Sequence, residues 1–366
     1  MSFNRLVPDD FVVSTDSITA TLWSGGNPTL TTFFTSSVQE AGSSGDYYLN
    51  VFQSDPQTSS TASIQFAIAY GSANGSGSVL FNSAINGLSP TATVYGQYQN
   101  LVIGDENTNF TFGAITASNF WAISFERARY KQALLPGSLT LELSGSLGVI
   151  TLTDNSNYVT SQVFNEAGRV FQLISGSAGV VTTTSATTTN GFSLNSGSYG
   201  WLLPDIGTIL LNPLALSGSQ AAGGIGLNYS TVSNSSGGNN QKLYKAISGS
   251  TASTFTINSQ ENISSDYIFV RARNSEFNYS ENPSYISGST GEVLYPSFIN
   301  NPQTYITTIG LYNDTNELLV VAKLSRPLLK DFTKEALIRV KIRFLMNGCL
   351  QIIFSIWYRS NSLRSE

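Results

Sequence analysis

Short runs in which apolar and polar residues alternate, separated by clusters of Gly, Ser, Asn and Asp, make up most of the chain. A period of two places successive side chains on opposite faces of a strand. Runs of this kind rich in Val, Ile, Thr, Tyr and Phe predict β-strands, of which the clearest are residues 47–53, 64–70, 120–130, 138–145, 266–273 and 317–324. We therefore expect an all-β fold with two or more β-sandwich or barrel-like domains, few short helices and long Ser/Thr/Gly-rich loops.

Helical periodicity is scarce. The best candidate is residues 90–102, where Val94, Tyr98 and Leu101 share a face after a Ser-Pro start signal. Residues 327–340 are a candidate for one further turn. We expect under about a fifth of the chain to be helical, against roughly a third in a typical globular domain.

Two low-complexity stretches, residues 178–198 and 217–240, are poor in large apolar residues and predict loops or mobile insertions. They flank a short apolar segment, residues 199–216. These changes in composition suggest an N-terminal β domain (1–145), a central loop-rich β region (146–255), a C-terminal β domain (256–342) and an atypical tail (343–366).

The tail differs from the rest of the chain because residues 343–366 contain no Thr, Ala or Val and hold the chain's single Cys, Cys349. We expect that this segment is translated from a shifted reading frame or is a recent extension. It should then contribute little to the fold and leave an exposed apolar patch around Trp357. The alternative is a native strand within residues 352–358.

The chain is 41% hydrophobic and 11% charged, against roughly 25% charged in an average globular protein. A weakly charged polar surface suits contact with other protein. The net charge of −5 argues against broad nucleic-acid binding, but the charges are uneven: residues 1–126 carry net −8 and residues 323–366 carry net +6. One copy could attract the opposite end of another, and raising the salt concentration should weaken this attraction because exposed charges are screened.

The absence of histidine excludes Ser-His-Asp and Cys-His arrangements and every metal site that needs His. One Cys cannot form an intrachain disulfide. A pair of carboxylates could still hydrolyse glycosides, but Asp and Glu are sparse and fall mostly in turns. We expect a protein that is not an enzyme and has no cofactor, no metal site and no catalytic residues.

Two segments superficially resemble ligand loops. Asp105, Asn107 and Asn109 alternate as in a calcium loop, but Phe110 stands where that loop needs Gly, so a solvated turn is expected. The run GGIGLN at residues 223–228 lacks the spacing of a phosphate-binding loop and predicts a flexible linker. The N-terminal sequence lacks signal-peptide features and no apolar run reaches roughly 18 residues, so we expect cytoplasmic synthesis without membrane insertion.

Two similar phrases carry paired arginines, Arg127 with Arg129 and Arg271 with Arg273. In a strand, residues i and i+2 point to the same face, so each phrase would display two guanidinium groups side by side. They are candidate anchors for carboxylates of a partner subunit. The alternative is a solvated strand face.

Residues 305–327 predict a β-hairpin closed by Asn-Asp-Thr-Asn, since Asn and Asp tolerate left-handed backbone. The second strand places Leu318, Val320, Ala322 and Leu324 on one face and Leu319 and Val321 on the other. A strand that is apolar on both faces needs cover on both. The hairpin is therefore either a core element of the C-terminal domain or part of a subunit interface.

The hairpin region reads ITTIGLYNDTNELLVVAKLSRPLLKDFTKEALIRVKI, residues 306–342. It resembles the C-terminal part of virion structural proteins from contractile-tailed myoviruses of marine cyanobacteria, and its two strands also resemble attachment domains of phage tail-fibre proteins. RLVPDDFVVSTDSITATLWS and FWAISFERARYKQALLPGSLTLEL are similar to the same group. The resemblance covers most of residues 1–342 and is least clear between 178 and 255.

The resemblance implies a multicopy component of a phage virion, in the tail or baseplate, whose partners are other copies of itself and other tail or baseplate proteins. It carries over no catalytic residues. Two alternatives stay open. In a receptor-binding adhesin, Trp121, Trp201 or Tyr-rich loops would stack on host glycans, whereas a capsid decoration protein would share the same composition.

Overall fold

A computed structural model describes residues 5–36, 48–75, 91–113, 115–182, 199–219, 223–230, 238–249, 254–280, 282–344 and 350–354. Of these residues, 46% lie in strands and 15% in helices. The all-β class and the low helical content predicted from the sequence are confirmed.

The strands follow one another through the chain as β1 (Phe11–Thr21), β2 (Thr29–Leu30), β3 (Phe34–Thr35), β4 (Tyr48–Phe52), β5 (Ile64–Ser72), β6 (Phe110–Phe112), β7 (Ile115–Ala117), β8 (Asn119–Phe125), β9 (Ala133–Leu134), β10 (Thr140–Gly145), β11 (Gly148–Asp154), β12 (Val163–Asn165), β13 (Gly168–Ser177), β14 (Val180–Val181), β15 (Gly200–Leu203), β16 (Thr208–Leu211), β17 (Phe255–Thr256), β18 (Asn258–Ala272), β19 (Thr304–Tyr312), β20 (Leu318–Lys330), β21 (Ala336–Phe344) and β22 (Leu350–Phe354). The helices are α1 (Thr91–Val102), α2 (Pro213–Ser217), α3 (Gly238–Ser248) and α4 (Pro296–Asn300).

Contacts between residues divide the chain into two compact units. The larger unit is Ile18–Glu261, and the smaller unit combines Met1–Ser17 with Asn262–Glu366. This division differs from the domain bounds expected from the sequence. The boundary expected near residue 145 falls in the turn between the antiparallel neighbours β10 and β11, so it would divide a hairpin.

The larger unit is built on one long sheet in the order β2-β17-β10-β11-β13-β15-β16-β8-β5-β4-β3, with β12 and β14 also paired to β13. Along β8, successive residues contribute to two different cores. Trp121 and Ile123 lie in the main core, while Phe120 and Ala122 lie in a second core with residues of α1. The period of two in the sequence therefore fills both faces of this central strand.

The smaller unit contains the long pairing of β18 with β21, in which Ile268 lies opposite Val340. Its other main element is the β19–β20 hairpin, whose Ile309 and Ala322 face each other across the ladder. These residues share a core with Leu324. The predicted hairpin is confirmed, and Asn316 in its turn has a φ of 62°, as expected for Asn in left-handed backbone.

The helix predicted at residues 90–102 is confirmed as α1. The prediction of which residues form its buried face was partly wrong. Leu101 is exposed, whereas Tyr95, Gln99 and Val102 are buried. Gln99 fits this face because its side-chain amide donates to the carbonyl of Thr108 at 2.6 Å. The spacing of apolar residues cannot identify a buried polar side chain whose hydrogen bond is made to a neighbouring loop.

The single turn of helix suggested within residues 327–340 is absent from that range. Its first four residues complete β20, a turn follows, and β21 begins at Ala336. Lys330, at the end of β20, is fully buried and its ammonium donates to the carbonyls of Asn274 and Asp331 and to the side chain of Asn278, at 2.9–3.0 Å. A buried cation with three acceptors holds the end of the strand in place.

The expected flexible linker at GGIGLN is also corrected. Ile225 and Leu227 are buried in the main core, and the amides of both donate to the carbonyl of Leu216, at 3.0 and 3.1 Å. The hydroxyl of Tyr199 donates to the carbonyl of Gly223 at 2.7 Å. Residues 183–198 of the other predicted linker lie outside the described residues.

The tail was expected to contribute little to the fold, and this is corrected for part of it. Residues 343–344 extend β21, and β22 pairs with that strand, with Ile352 opposite Ile342 and Leu350 opposite Phe344. Trp357 lies outside the described residues.

Candidate functional site

The strand β1 is exposed along nearly its whole length. Ten of its eleven residues are exposed and one is half-buried. Val13 retains 67% of its accessible surface, and Phe11, Val12 and Ile18 are exposed as well. A strand with this composition normally buries at least one apolar face, so β1 presents surface suited to another protein.

Within the described residues, β1 has one hydrogen-bonded neighbour, β18, and stands at the end of its sheet. No strand of the described residues pairs with the other edge of β1, and an edge strand of this kind can accept a further strand. Proteins usually protect such edges with proline, several charges or brevity. The sequence FVVSTDSITAT has no proline and one charged residue, Asp16, so this edge is poorly protected.

The β19–β20 hairpin presents a second exposed apolar surface. Leu319 and Val321, predicted from alternation, are exposed, with Leu319 retaining 63% of its surface, whereas Ala322 and Leu324 on the other face are buried. On the first strand the Tyr312 ring lies over Gly310, where a Cβ would stand 2.8 Å from the ring atom Cε2. The role of Leu319 and Val321 in an interface stays a prediction.

Arg127 and Arg129 do not lie on a strand, which corrects the prediction for residues 120–130. β8 ends at Phe125, and a short 3₁₀ turn contains both arginines. The reason is that Phe125 and Tyr130 both belong to the main core. Residues five apart in a strand point to opposite faces, so the turn is needed to bury both.

The guanidinium of Arg127 makes its contacts locally. It donates to the carbonyls of Tyr130 and Lys131 and lies over the Tyr130 ring, 4.6 Å from the ring centre. Both terminal nitrogens of the guanidinium therefore donate within the same turn, so fewer of its N–H groups are available to a carboxylate of a partner.

Arg271 and Arg273 are placed differently. Arg271 lies on β18 opposite Leu337, and Arg273 directly follows the strand. Both are exposed, and Ala272 between them is buried. Their use by a partner stays a prediction.

The tryptophans suggested for glycan stacking are packed inside the larger unit. Trp121 is fully buried and its indole N–H donates to the carbonyl of Asn239 at 3.0 Å. Trp201 is half-buried and packs edge-on against Phe110 and Phe112, with ring centres 5.8 and 5.2 Å away. Trp121 therefore has no exposed ring face on which a glycan could stack, and Trp201 contributes to the packing of the larger unit.

The contrast between the acidic N-terminal and basic C-terminal regions is partly used within one chain. Lys341 on β21 places its ammonium 3.6 Å from the carboxylate of Asp16 on β1. This pair therefore contributes to the smaller unit itself, and it is not available in full for attraction between copies.

No cluster of three or more His, Cys, Asp or Glu side chains that could hold a metal ion occurs within the described ranges. In the Asp105 turn, the carboxylate accepts from the backbone N–H of Asn107 at 3.0 Å and from the hydroxyl of Thr108 at 2.5 Å. These donors lower the pKa of Asp105. Among the helices of the described residues, none has the length and apolar character needed to span a bilayer.

The chain matches no protein-family model, no curated protein and no solved structure. The exposed β1 edge is a candidate functional surface that sequence reasoning missed. Its signal was the Phe-Val-Val run followed by strand-forming residues with a single charge, which indicates a strand but does not say what covers it.

Proposed function

We propose that this chain is a non-enzymatic structural subunit of a phage particle that assembles with copies of itself through strand β1. The observation that carries the proposal is the exposure of ten of the eleven residues of an edge strand that includes Phe11, Val12 and Val13. An exposed, long, apolar edge is where another chain can add a strand.

A second copy is the occupant favoured for the β1 edge. Two identical edges brought together antiparallel form a self-complementary contact around a twofold axis, the commonest symmetry of protein oligomers. Each copy then supplies the N–H and C=O groups that the other lacks. The side chains of Phe11, Val12 and Val13 alternate between the two faces, so additional elements of the neighbouring copy would cover them.

The phage assignment rests on the resemblance of residues 306–342 and of the N-terminal segments to virion structural proteins. It accords with a chain that is 11% charged and has no histidine. Within the particle, the tail or baseplate is the location that the resemblance favours, with other tail or baseplate proteins as further partners. The exposed face of Leu319 and Val321 is the second surface available for such contacts.

A charge placed on the β1 edge tests the assembly. The variant Val13→Lys should weaken self-association at least about tenfold, equivalent to roughly 1.4 kcal/mol, because the contact would bury an unpaired ammonium. The measurement is sedimentation equilibrium over a range of protein concentrations.

The matched control is Val163→Lys in β12, since Val163 is also an exposed strand valine, at 58%. It should associate as the wild type does. Both variants should melt within a few degrees of the wild type, as expected for surface substitutions. A wild-type chain that stays monomeric at high concentration, or equal association by both variants, would contradict assembly through β1.

A further inference from the structure

A concave site of about 330 Å³ lies within the smaller unit, on the segment that leads into β19. Four aromatic residues and three small polar residues line it: Tyr285, Tyr295, Phe298, Tyr305, Ser297, Asn301 and Gln303. Its volume is at the lower end of the roughly 300–1,000 Å³ found for small-molecule sites. None of the seven lining side chains carries a charge at neutral pH.

The local fold brings these residues together from about twenty residues of chain. The amide of Leu294 donates to the carbonyl of Tyr285 at 2.9 Å, and Ile286 forms a β-bridge with Val293, so this part of the chain folds back on itself. The short helix α4 follows immediately and carries Ser297 and Phe298. The site therefore rests on backbone hydrogen bonds.

Three of the four aromatic rings form one connected group. The Tyr285 ring centre lies 5.2 Å from that of Phe298 and 6.5 Å from that of Tyr295, with interplanar angles of 37° and 73°. Tyr295 and Tyr305 nevertheless remain exposed, at 55% and 57%. The exposed ring of Tyr295 is held in place by the Tyr285 ring, so its flat apolar face is available to a ligand at little further cost in side-chain entropy.

The mixture of groups indicates the class of ligand. Aromatic faces pack against the apolar C–H faces of a sugar ring, while the amides of Asn301 and Gln303 and the hydroxyl of Ser297 can donate to and accept from hydroxyl groups. A phosphate or carboxylate ligand would lack an opposite charge among the lining side chains. The site therefore suits a neutral, hydroxyl-rich molecule.

A proline-rich peptide is the main competing occupant, because such peptides bind aromatic-lined grooves. Prolines have no N–H to donate, so a proline-rich segment would leave the amide oxygens of Asn301 and Gln303 without donors. A sugar hydroxyl both donates and accepts. The polar residues of this site therefore favour the saccharide.

We propose that this site binds a neutral saccharide, which packs against the rings of both Tyr295 and Tyr305 and whose hydroxyl groups bond to Asn301 and Gln303. The site uses no residue of β1 and is independent of the proposed self-assembly. A subunit that assembles and also binds saccharide would present many copies of a weak site together, which raises the overall avidity.

The test uses the full chain and three neutral probes: maltotetraose, cellotetraose and triacetylchitotriose. Saturation-transfer NMR and calorimetry should detect saturable binding of at least one probe, with a Kd below about 10 mM. Tyr295→Ala and Tyr305→Ala should each weaken this binding at least about tenfold. Gln303→Ala, an exposed position with little effect expected on folding, should weaken it severalfold.

The control is Tyr279→Ala, since Tyr279 is a similarly exposed tyrosine of the same unit, at 62%, and does not line the site. It should bind as the wild type does. Val13→Lys should also leave saccharide binding unchanged, which separates this proposal from the assembly proposal. Failure of all three probes to bind, unchanged binding by Gln303→Ala and Tyr295→Ala, or binding of a decaproline peptide in place of the sugars would overturn it.

Discussion

Replacing Phe66 with Ala is expected to lower the free energy of unfolding by about 3–5 kcal/mol, the usual cost of removing a large aromatic side chain from a core. Phe66 is fully buried on β5. Its ring centre lies 6.3 Å from Trp23, 6.2 Å from Phe125 and 5.3 Å from Phe255. These four rings come from positions far apart in the sequence, so the cavity left by the substitution would weaken the larger unit as a whole.

Urea denaturation monitored by circular dichroism measures the effect of Phe66→Ala. The matched control is Phe164→Ala in β12, because Phe164 is a strand phenylalanine that keeps 65% of its surface exposed. The control should change the free energy of unfolding by less than about 0.5 kcal/mol. A cost below about 1 kcal/mol for Phe66→Ala would show that the aromatic cluster is not a packed core.

The second large effect is a loss of stability at alkaline pH. Burial raises the pKa of six tyrosines, Tyr70, Tyr95, Tyr98, Tyr130, Tyr199 and Tyr229. For Tyr199 the pKa rises to about 12 from its ordinary value of 10.0. A raised folded-state pKa means that the unfolded chain loses its proton first, so stability is fully present below pH 10 and is lost as pH rises towards 12.

The contribution of Tyr199 to this loss is roughly 2–3 kcal/mol, because each pKa unit corresponds to about 1.4 kcal/mol. Burial lowers the pKa of Lys330. The folded state then releases this proton before the unfolded state does, so Lys330 makes the protein more stable as pH rises. This single group opposes the combined effect of the six tyrosines. Melting temperatures measured between pH 8 and pH 11.5 should therefore fall steeply above pH 10.

The variant Tyr199→Phe isolates one of these groups. It should lose stability less steeply above pH 10 than the wild type, although it is less stable at neutral pH because the hydrogen bond to the carbonyl of Gly223 is gone. Stability that is independent of pH up to 11.5 would mean that the buried tyrosines ionise without unfolding the chain.

Each of the six runs that local patterns predicted as strands overlaps a strand of the structure, because the period of two is set by backbone geometry. The run at residues 64–70 lies within β5, and the run at 317–324 overlaps the first seven residues of β20. The patterns failed where tertiary packing decides. Ile225 and Leu227 occupy the main core from a glycine-rich stretch, since two well-placed apolar residues are enough when the surrounding sheet supplies the rest.

The candidate surfaces were less predictable than the fold. Alternation correctly separated the exposed Leu319 and Val321 from the buried Ala322 and Leu324, but Leu318, at the start of the same face as Ala322, is exposed. It failed for Arg127 and Arg129, where the need to bury both Phe125 and Tyr130 ends the strand. The exposure of β1 could not be predicted, since it depends on which elements of the fold leave that strand uncovered.

Cryo-electron microscopy of virions isolated from cells that produce this chain tests the proposed assembly most directly. The account predicts several copies of the chain in the tail or baseplate, each with a strand from another copy hydrogen-bonded to the outer edge of β1. Val13 should then be buried at the contact. Particles that lack the chain, or copies in which the β1 edge faces solvent throughout, would contradict the account.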